Sequence, residues 1–344
     1  MKKKKFIDLQ LFAAGENVHT TSGMAQNSTG SIEAYNGGLS AEMKTYYSDY
    51  LIDMAEPKLV HDQFGQKQPI PKGKGKVIEF RKYNPLPKLT TPLTEGVTPD
   101  GQSMDMSVVT AEVKQYGGFI ELSDVLMLAA IDNNLVQATK LLGGQAGRTL
   151  DTITREVLAG GTNVQYAEGQ VESRDALVGG QADGNHYLTV DAVRRAVRFL
   201  KKMNAETIDG SYVGIIHPDV AYDLMSDPKW LNVKSYSDPE GIYQGEIGKI
   251  ENVRFVETSE AKVFTGEGAN GRDVYATLIL GDNAYGTTEL KGGGLEHIIK
   301  QLGSAGASDP LNQRATAGWK ATKAAVRLVE PYMVRVETAS TFTD

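Results

Sequence analysis

The sequence predicts an α+β fold with long extensions, and three observations carry that prediction. Apolar or small residues at Leu135, Ala138, Leu142, Ala146, Leu150, Ile153 and Val157 step by three or four, which places them on one face of a long helix. Two strand-like segments, 76–83 and 104–116, precede that helix and are joined by a proline-rich connection, the pattern of a long hairpin. After residue 189 the order helix, strand, helix, strand, strand argues for a mixed α/β unit around one sheet. At 344 residues, the chain is long enough for two globular units plus extensions.

The opening MKKKKFIDLQLFAA imitates a secretory signal, but its apolar part is short and Asp8 and Gln10 break it, so secretion is not expected. Phe6, Leu9 and Phe12, or Ile7 and Leu11, form a small apolar stripe suited to docking on a partner. Residues 15–38 are rich in Gly, Ser, Thr and Asn and read as a flexible arm. Residues 39–64 carry a helical pattern through Met43, Tyr46, Tyr47, Tyr50, Leu51 and Met54, resumed by Leu59 and Val60 after Pro57. A peripheral helix is expected there, with Ser40 as its cap.

Lys72-Gly73-Lys74-Gly75-Lys76 lacks the spacing of a phosphate loop and reads as a charged hinge. In the hairpin that follows, Ile78 and Phe80 share a face of the first strand. On the second strand Met104, Met106 and Val108 share one face and Val109, Ala111 and Val113 the other, a phase switch that predicts a bulge or bend. Pro85, Pro87, Pro92 and Pro99 lie between the strands. A strand of about 13 residues reaches ~43 Å. A two-stranded arm of that length is marginal alone in water, so it must lie on its own body or on a neighbouring subunit. Ile78, Phe80, Met104, Met106 and Val108 are therefore the candidate subunit-interface residues.

The helical run is read over 117–161, with Ser123 as its first cap and Asp132-Asn133-Asn134 dividing a short helix from a long one. Gly143, Gly144 and Gly147 are unfavourable inside a helix. They mark either a loosened helix or the close approach of a neighbouring backbone. Gly160-Gly161 ends the element. A helix of about 25 residues runs ~38 Å, the length of a spine rather than of a small core helix.

Residues 162–187 are loop-like and polar. Residues 189–204 form an amphipathic helix, with Val190, Val193, Val197 and Leu200 inward and Arg194, Arg195, Arg198, Lys201 and Lys202 outward. The basic face is simply solvated, or it touches nucleic acid or an acidic neighbour. YVGIIH, 212–217, is a buried-type strand, and Pro218 opens a helix through Met225. His217 stands alone at that junction and reads as a capping or packing residue. A loop over 229–245, strands at 253–256 and 276–280 with a turn at Gly271-Arg272, and further strands at 295–302, 312–323, 325–328 and 332–337 complete the chain.

Composition excludes several chemistries. The net charge of −7 argues against a polycationic nucleic-acid coat. There are no cysteines, so disulfides, thiol catalysis and Cys-bound zinc are excluded. His19, His61, His186, His217 and His297 lie too far apart in sequence for a short-spaced metal motif. No apolar run is long enough to span a bilayer, and no membrane partner is expected. Nucleophile-elbow, metalloprotease, EF-hand, Walker A and dinucleotide fingerprints are missing; GEIGK at 245–249 lacks the required spacing. No catalytic, cofactor-binding or metal-binding residue is predicted, and no cofactor. Two main classes stay open: a self-assembling structural protein, and a soluble α/β enzyme or ligand-binding protein.

Four passages add a resemblance. They are QAGRTLDTITREVLAGGTN at 145–163, YVGIIHPDVAYDLMSDPKW at 212–230, GEIGKIENVRFVET at 245–258 and LNQRATAGWKATKAAVRL at 311–328. In their order and spacing the sequence resembles the major capsid proteins of tailed bacteriophages, most closely the N-four-like branch. The opening LQLFAA is similar to the start of many structural proteins from phages of Gram-positive hosts. The resemblance runs from about residue 40 to the C-terminus. It implies the tailed-phage/herpesvirus capsid fold: an arm with a peripheral helix (1–65), an extended hairpin loop (66–116), a peripheral domain with the spine helix (117–204), an axial domain with a central mixed sheet (205–300) and C-terminal strands returning to the peripheral domain (301–344). It implies a protein that is not an enzyme and that assembles with itself as pentamers and hexamers into an icosahedral shell. The partners implied are a separate scaffolding protein, a portal, and packaged double-stranded DNA held by weak, non-specific contact. It places the protein in the virion capsid, assembled in the host cytoplasm. Another phage structural part, such as a tail protein, is the remaining alternative.

Overall fold

The computed structural model describes residues 51, 59–69, 76–83, 86–93, 95–96, 98, 100–125, 134–167, 171–179, 186–230, 248–289, 295–304 and 309–342. The N-terminal docking stripe, the arm, most of the candidate peripheral helix, Lys72 to Gly75 of the charged hinge, residues 126–133 of the expected short helix and its break, and most of the 229–245 loop lie outside them. The strands are β1 (Gln66–Gln68), β2 (Val77–Tyr83), β3 (Met106–Glu112), β4 (Lys114–Ser123), β5 (Val164–Tyr166), β6 (Tyr212–Ile216), β7 (Lys249–Ile250) and β8 (Val253–Glu257). They continue with β9 (Val263–Phe264), β10 (Val274–Leu280), β11 (Tyr285–Thr288), β12 (Leu295–Lys300), β13 (Arg314–Lys323), β14 (Ala325–Arg327) and β15 (Met333–Thr338). The principal helices are α1 (Asn134–Ala159), α2 (Val190–Lys202) and α3 (Pro218–Met225).

These elements fall into two compact units. One draws on Gln115–Thr149 and Leu290–Thr322, the other on Leu59–Lys114, Leu150–Glu289 and Lys323–Asp344. The larger unit is built on a seven-stranded mixed sheet in the order β5-β15-β10-β6-β8-β7, with β9 also paired to β10. Every residue of β6 and β10 is buried, which is why both read as continuous apolar runs rather than alternations. Strand periodicity splits them between two cores. Tyr212 and Ile216 pack with Val193, Val197 and Leu200 of α2, while Val213 and Ile215 pack with Leu158 of α1 and with Tyr285.

Helix α2 begins where the sequence predicts. The Thr189 side chain accepts a hydrogen bond from the Ala192 N–H at 3.2 Å. Its inward valines are buried and Arg194, Arg195, Arg198, Lys201 and Lys202 are exposed. Helix α3 has Pro218 at its first position, and His217 caps it, Nδ1 accepting from the Asp219 N–H at 3.3 Å. The His217 ring also packs 4.9 Å from that of Tyr275.

A three-stranded sheet, β1-β11-β14, and the two-stranded hairpin β2-β3 complete the larger unit. The smaller unit contains the sheet β12-β13-β4. There Trp319 Nε1 donates to Gln145 Oε1 of α1 at 3.0 Å. Gly118 permits this approach, because a Cβ in its place would lie 2.8 Å from Gln145 Oε1.

Several expectations are corrected. Residues 117–123, read as the start of the helical run, belong to β4, where side chains alternate between exposed and covered. The spine, α1, has 26 residues and spans about 39 Å. Ala138, Leu142, Ala146 and Leu150 are buried as its face predicts, but beyond Leu150 the buried face moves to Asp151, Thr154 and Leu158, leaving Ile153 and Val157 half-buried. Gly143 and Gly147 are buried, whereas an added Cβ at Gly144 would meet nothing within 4 Å.

Gly160 and Gly161 end α1 without a left-handed residue. They make room instead: a Cβ would stand 2.9 Å from Arg327 Nη1 at Gly160 and 2.9 Å from Glu330 Oε1 at Gly161. Arg327 donates to the Val157 carbonyl at 2.8 Å and Arg335 to those of Ala159 and Gly161. Two cations remote in sequence thus satisfy the carbonyls at the negative end of the helix. Arg335 is balanced by the buried Glu337, which also binds Arg174. Residues 59–65, read as a continuing helix, form a turn, and β11 is a strand that the pattern reading passed over.

Candidate assembly surface

The hairpin pairs β2 with β3 in an unbroken antiparallel register, from Val77↔Glu112 through Phe80↔Val109 to Tyr83↔Met106. The expected bulge is therefore not in β3. One further bond extends the ladder, from the Val113 N–H to the Lys76 carbonyl at 2.8 Å, before β4 begins. This register places Ile78, Phe80, Val109 and Ala111 on one face, and Val77, Arg81, Met106 and Val108 on the other.

The two faces differ in environment. Ile78 and Phe80 are 5% and 1% exposed and form a core with Ala111 and Ala324, against which Val113, Val326 and Leu328 pack. Phe80 lies on Gly286 of β11, where a Cβ would come within 2.3 Å of the ring. Ile78 and Phe80 therefore hold the hairpin on its own body, which corrects their assignment to a subunit interface. A side chain buried within the subunit has no surface left to offer a neighbour. Met104, Met106 and Val108 are 80%, 42% and 45% exposed, and they stand on a surface with Val77. The connection between the strands adds Leu86, Leu89 and Leu93, all exposed. Sequence reading missed these three leucines. Their signal was apolar residues placed between prolines without periodicity.

A buried polar cluster lies in the same unit as the hairpin. His61 and Asp62 come from the turn before β1. The His61 backbone N–H and Nδ1 lie 2.7 Å from the two carboxylate oxygens of Asp151 on α1. Asp62 Oδ1 accepts from Thr287 at 2.6 Å and Thr154 at 3.2 Å, and it contacts Lys323 Nζ. Tyr285 donates to the His61 carbonyl, and burial pushes its phenol well above the usual range. The cluster locks the turn, α1, β11 and the end of β13 into one arrangement.

The smaller unit carries a second exposed apolar row. Phe119 of β4 packs its Cβ about Gly318 of β13, at 3.0 Å from where a glycine Cβ would be, and Gly318 pairs with Ile298 of β12. Phe119 and Ile298 are both exposed. Among the described residues no cluster of His, Asp and Glu could hold a metal ion, and no helix is long and apolar enough to cross a membrane. These exposed apolar surfaces are of a kind that binds protein.

Comparisons with known proteins agree with this architecture. No curated protein matches the sequence. Among solved structures, the chain is similar to the capsid of cyanophage P-SCSP1u at TM-score 0.59 and 14% identity, covering 80% of this chain and 86% of that one. It is similar to the capsid of Ralstonia phage GP4 at TM-score 0.59 and 14% identity, covering 81% and 88%. It is also similar to the cyanophage Pam1 capsid at TM-score 0.57 and 15% identity, covering 92% and 98%. These likenesses establish the tailed-phage capsid fold. The family model described as phage capsid protein matches residues 59–300. The chain belongs to the phage capsid protein family, a structural family, and is a major capsid protein.

Proposed function

We propose that this protein assembles with itself, as pentamers and hexamers, into the icosahedral shell around the double-stranded DNA of a tailed phage. The observation that carries the reading is the two-faced hairpin. One face is bound to the subunit's own core by Ile78 and Phe80, and the other presents Val77, Met106 and Val108 to solvent, with Met104 exposed close by. Burying one such side chain contributes about 1.5–3 kcal/mol. A closed symmetric shell repeats that gain at every equivalent contact. Met104, Met106 and Val108 are the interface residues under this reading, with Leu86, Leu89 and Leu93 extending the patch.

The seven-stranded sheet unit corresponds to the axial domain, and the spine helix with the β12-β13-β4 sheet to the peripheral domain. The four passages quoted above support the N-four-like branch and the partners it implies: a separate scaffolding protein and a portal, with assembly in the host cytoplasm. The exposed basic face of α2 suits weak contact with DNA. Arg194 is already paired with Asp191 and Glu251, so the face is partly neutralised.

Electron microscopy of the protein expressed with its scaffolding partner tests this reading. Closed polyhedral shells are expected. Tubes would point to a tail protein, and small discrete particles to a soluble enzyme or binding protein.

A further inference from the structure

We propose that Lys323 and Asp62 condense into an isopeptide bond within one chain, a covalent tie between the turn before β1 and the end of β13. The proposal stands on the placement of four side chains. Lys323 is 0% exposed and Asp62 4%. Lys323 Nζ contacts both Asp62 Oδ1 and the Thr287 hydroxyl. The Thr287 and Thr154 hydroxyls both donate to that same carboxylate oxygen, at 2.6 and 3.2 Å. A buried ammonium–carboxylate pair is costly to desolvate, and a neutral link between the same atoms removes that cost. Burial also lowers the Lys323 amine below its usual value, although the neighbouring Asp62 and Asp151 oppose the shift. Nucleophilic attack requires the neutral amine.

The step balances without an external reagent. A proton passes from the ammonium to Oδ1 of Asp62, directly or through the Thr287 hydroxyl, which touches both. The Nζ lone pair then attacks Cγ, the C–N bond forms, and the charge that develops falls on Oδ2. Nζ gives up a second proton to Oδ1, the Cγ–Oδ1 bond breaks, Oδ2 becomes the amide carbonyl, and one water leaves, with the two threonine hydroxyls hydrogen-bonded to the departing oxygen. Well-oriented groups within one molecule react with effective molarities that reach on the order of 10⁵–10⁸ M, so holding the two side chains together speeds the attack. The partners are 261 positions apart, so the link would close a very long loop of the unfolded chain.

Intact-mass measurement and peptide mapping of the purified full chain test the proposal, whether or not the protein forms shells. The expected result is a mass lower than that of the sequence by one water, with a branched peptide joining the Asp62 and Lys323 segments. Lys323→Arg should restore the full mass. Asp62→Asn should still give the branched peptide, now with loss of ammonia. A wild-type chain of full mass, with separate Asp62 and Lys323 peptides, would overturn the proposal. So would a mass deficit without the branched peptide. The wild-type map decides the matter even if Lys323→Arg fails to fold.

Discussion

A Cβ at residue 286 would stand 2.3 Å from Cε1 of Phe80, so the seat of the hairpin depends on a missing methyl group. Gly286→Ala must displace the Phe80 ring or the strand, at a cost of about 1–3 kcal/mol for such overpacking. Phe80→Ala leaves a cavity instead and should cost about 3–5 kcal/mol. Met104→Ala, at a position 80% exposed, should leave the denaturant midpoint of the free subunit unchanged. Equilibrium unfolding of the three variants checks the contrast. In the smaller unit, burial lowers His297 from its ordinary 6.5 to about 4. Between those values the unfolded chain binds a proton that the folded one refuses. Stability is therefore fully present above about pH 6.5 and is lost as pH falls towards 4. Thermal melts across that window should show the decline, and His297→Gln should flatten part of it.

Helix α2 shows how much an element reveals before it is seen. Its inward valines and its basic outer face were legible, because an amphipathic helix is specified by local pattern; its Thr189 cap emerged only from the structure. Thr189→Ala should cost about 1 kcal/mol, read as a shift in the urea midpoint of the subunit. Other elements depended on partners that pattern cannot name. β11 is short and has Gly286 at its second position, so it lacks apolar alternation; its glycine is there for Phe80. The segment 117–123 reads as part of the helical run, yet pairing with β13 makes it a strand. The turn at 59–65 has helical spacing, but its course is decided by Asp151 and Lys323, far away in sequence. The hairpin illustrates the same limit at the candidate site. Its apolar residues were identifiable singly, and the antiparallel register then divided them, Ile78 and Phe80 going to the core and Met106 and Val108 to solvent.

Across the molecule, both units expose apolar surface, which the proposed function assigns to contacts with other copies. The larger unit exposes the outer face and the connection of its hairpin, and the smaller unit exposes Phe119 and Ile298 on its three-stranded sheet. Excision of residues 84–102 with a short turn in their place keeps Ile78, Phe80 and Ala111 in the subunit core. Calorimetry should then find a transition close to that of the intact subunit, while shell formation is lost. The most direct test places charge on the outer face alone. Met106→Asp with Val108→Asp alters two side chains that are 42% and 45% exposed and leaves the inner face untouched. Sedimentation under assembly conditions should find the double variant as folded free subunits where the wild type forms fast-sedimenting shells. Wild-type yields of shells from the double variant would contradict the assignment of this face to assembly.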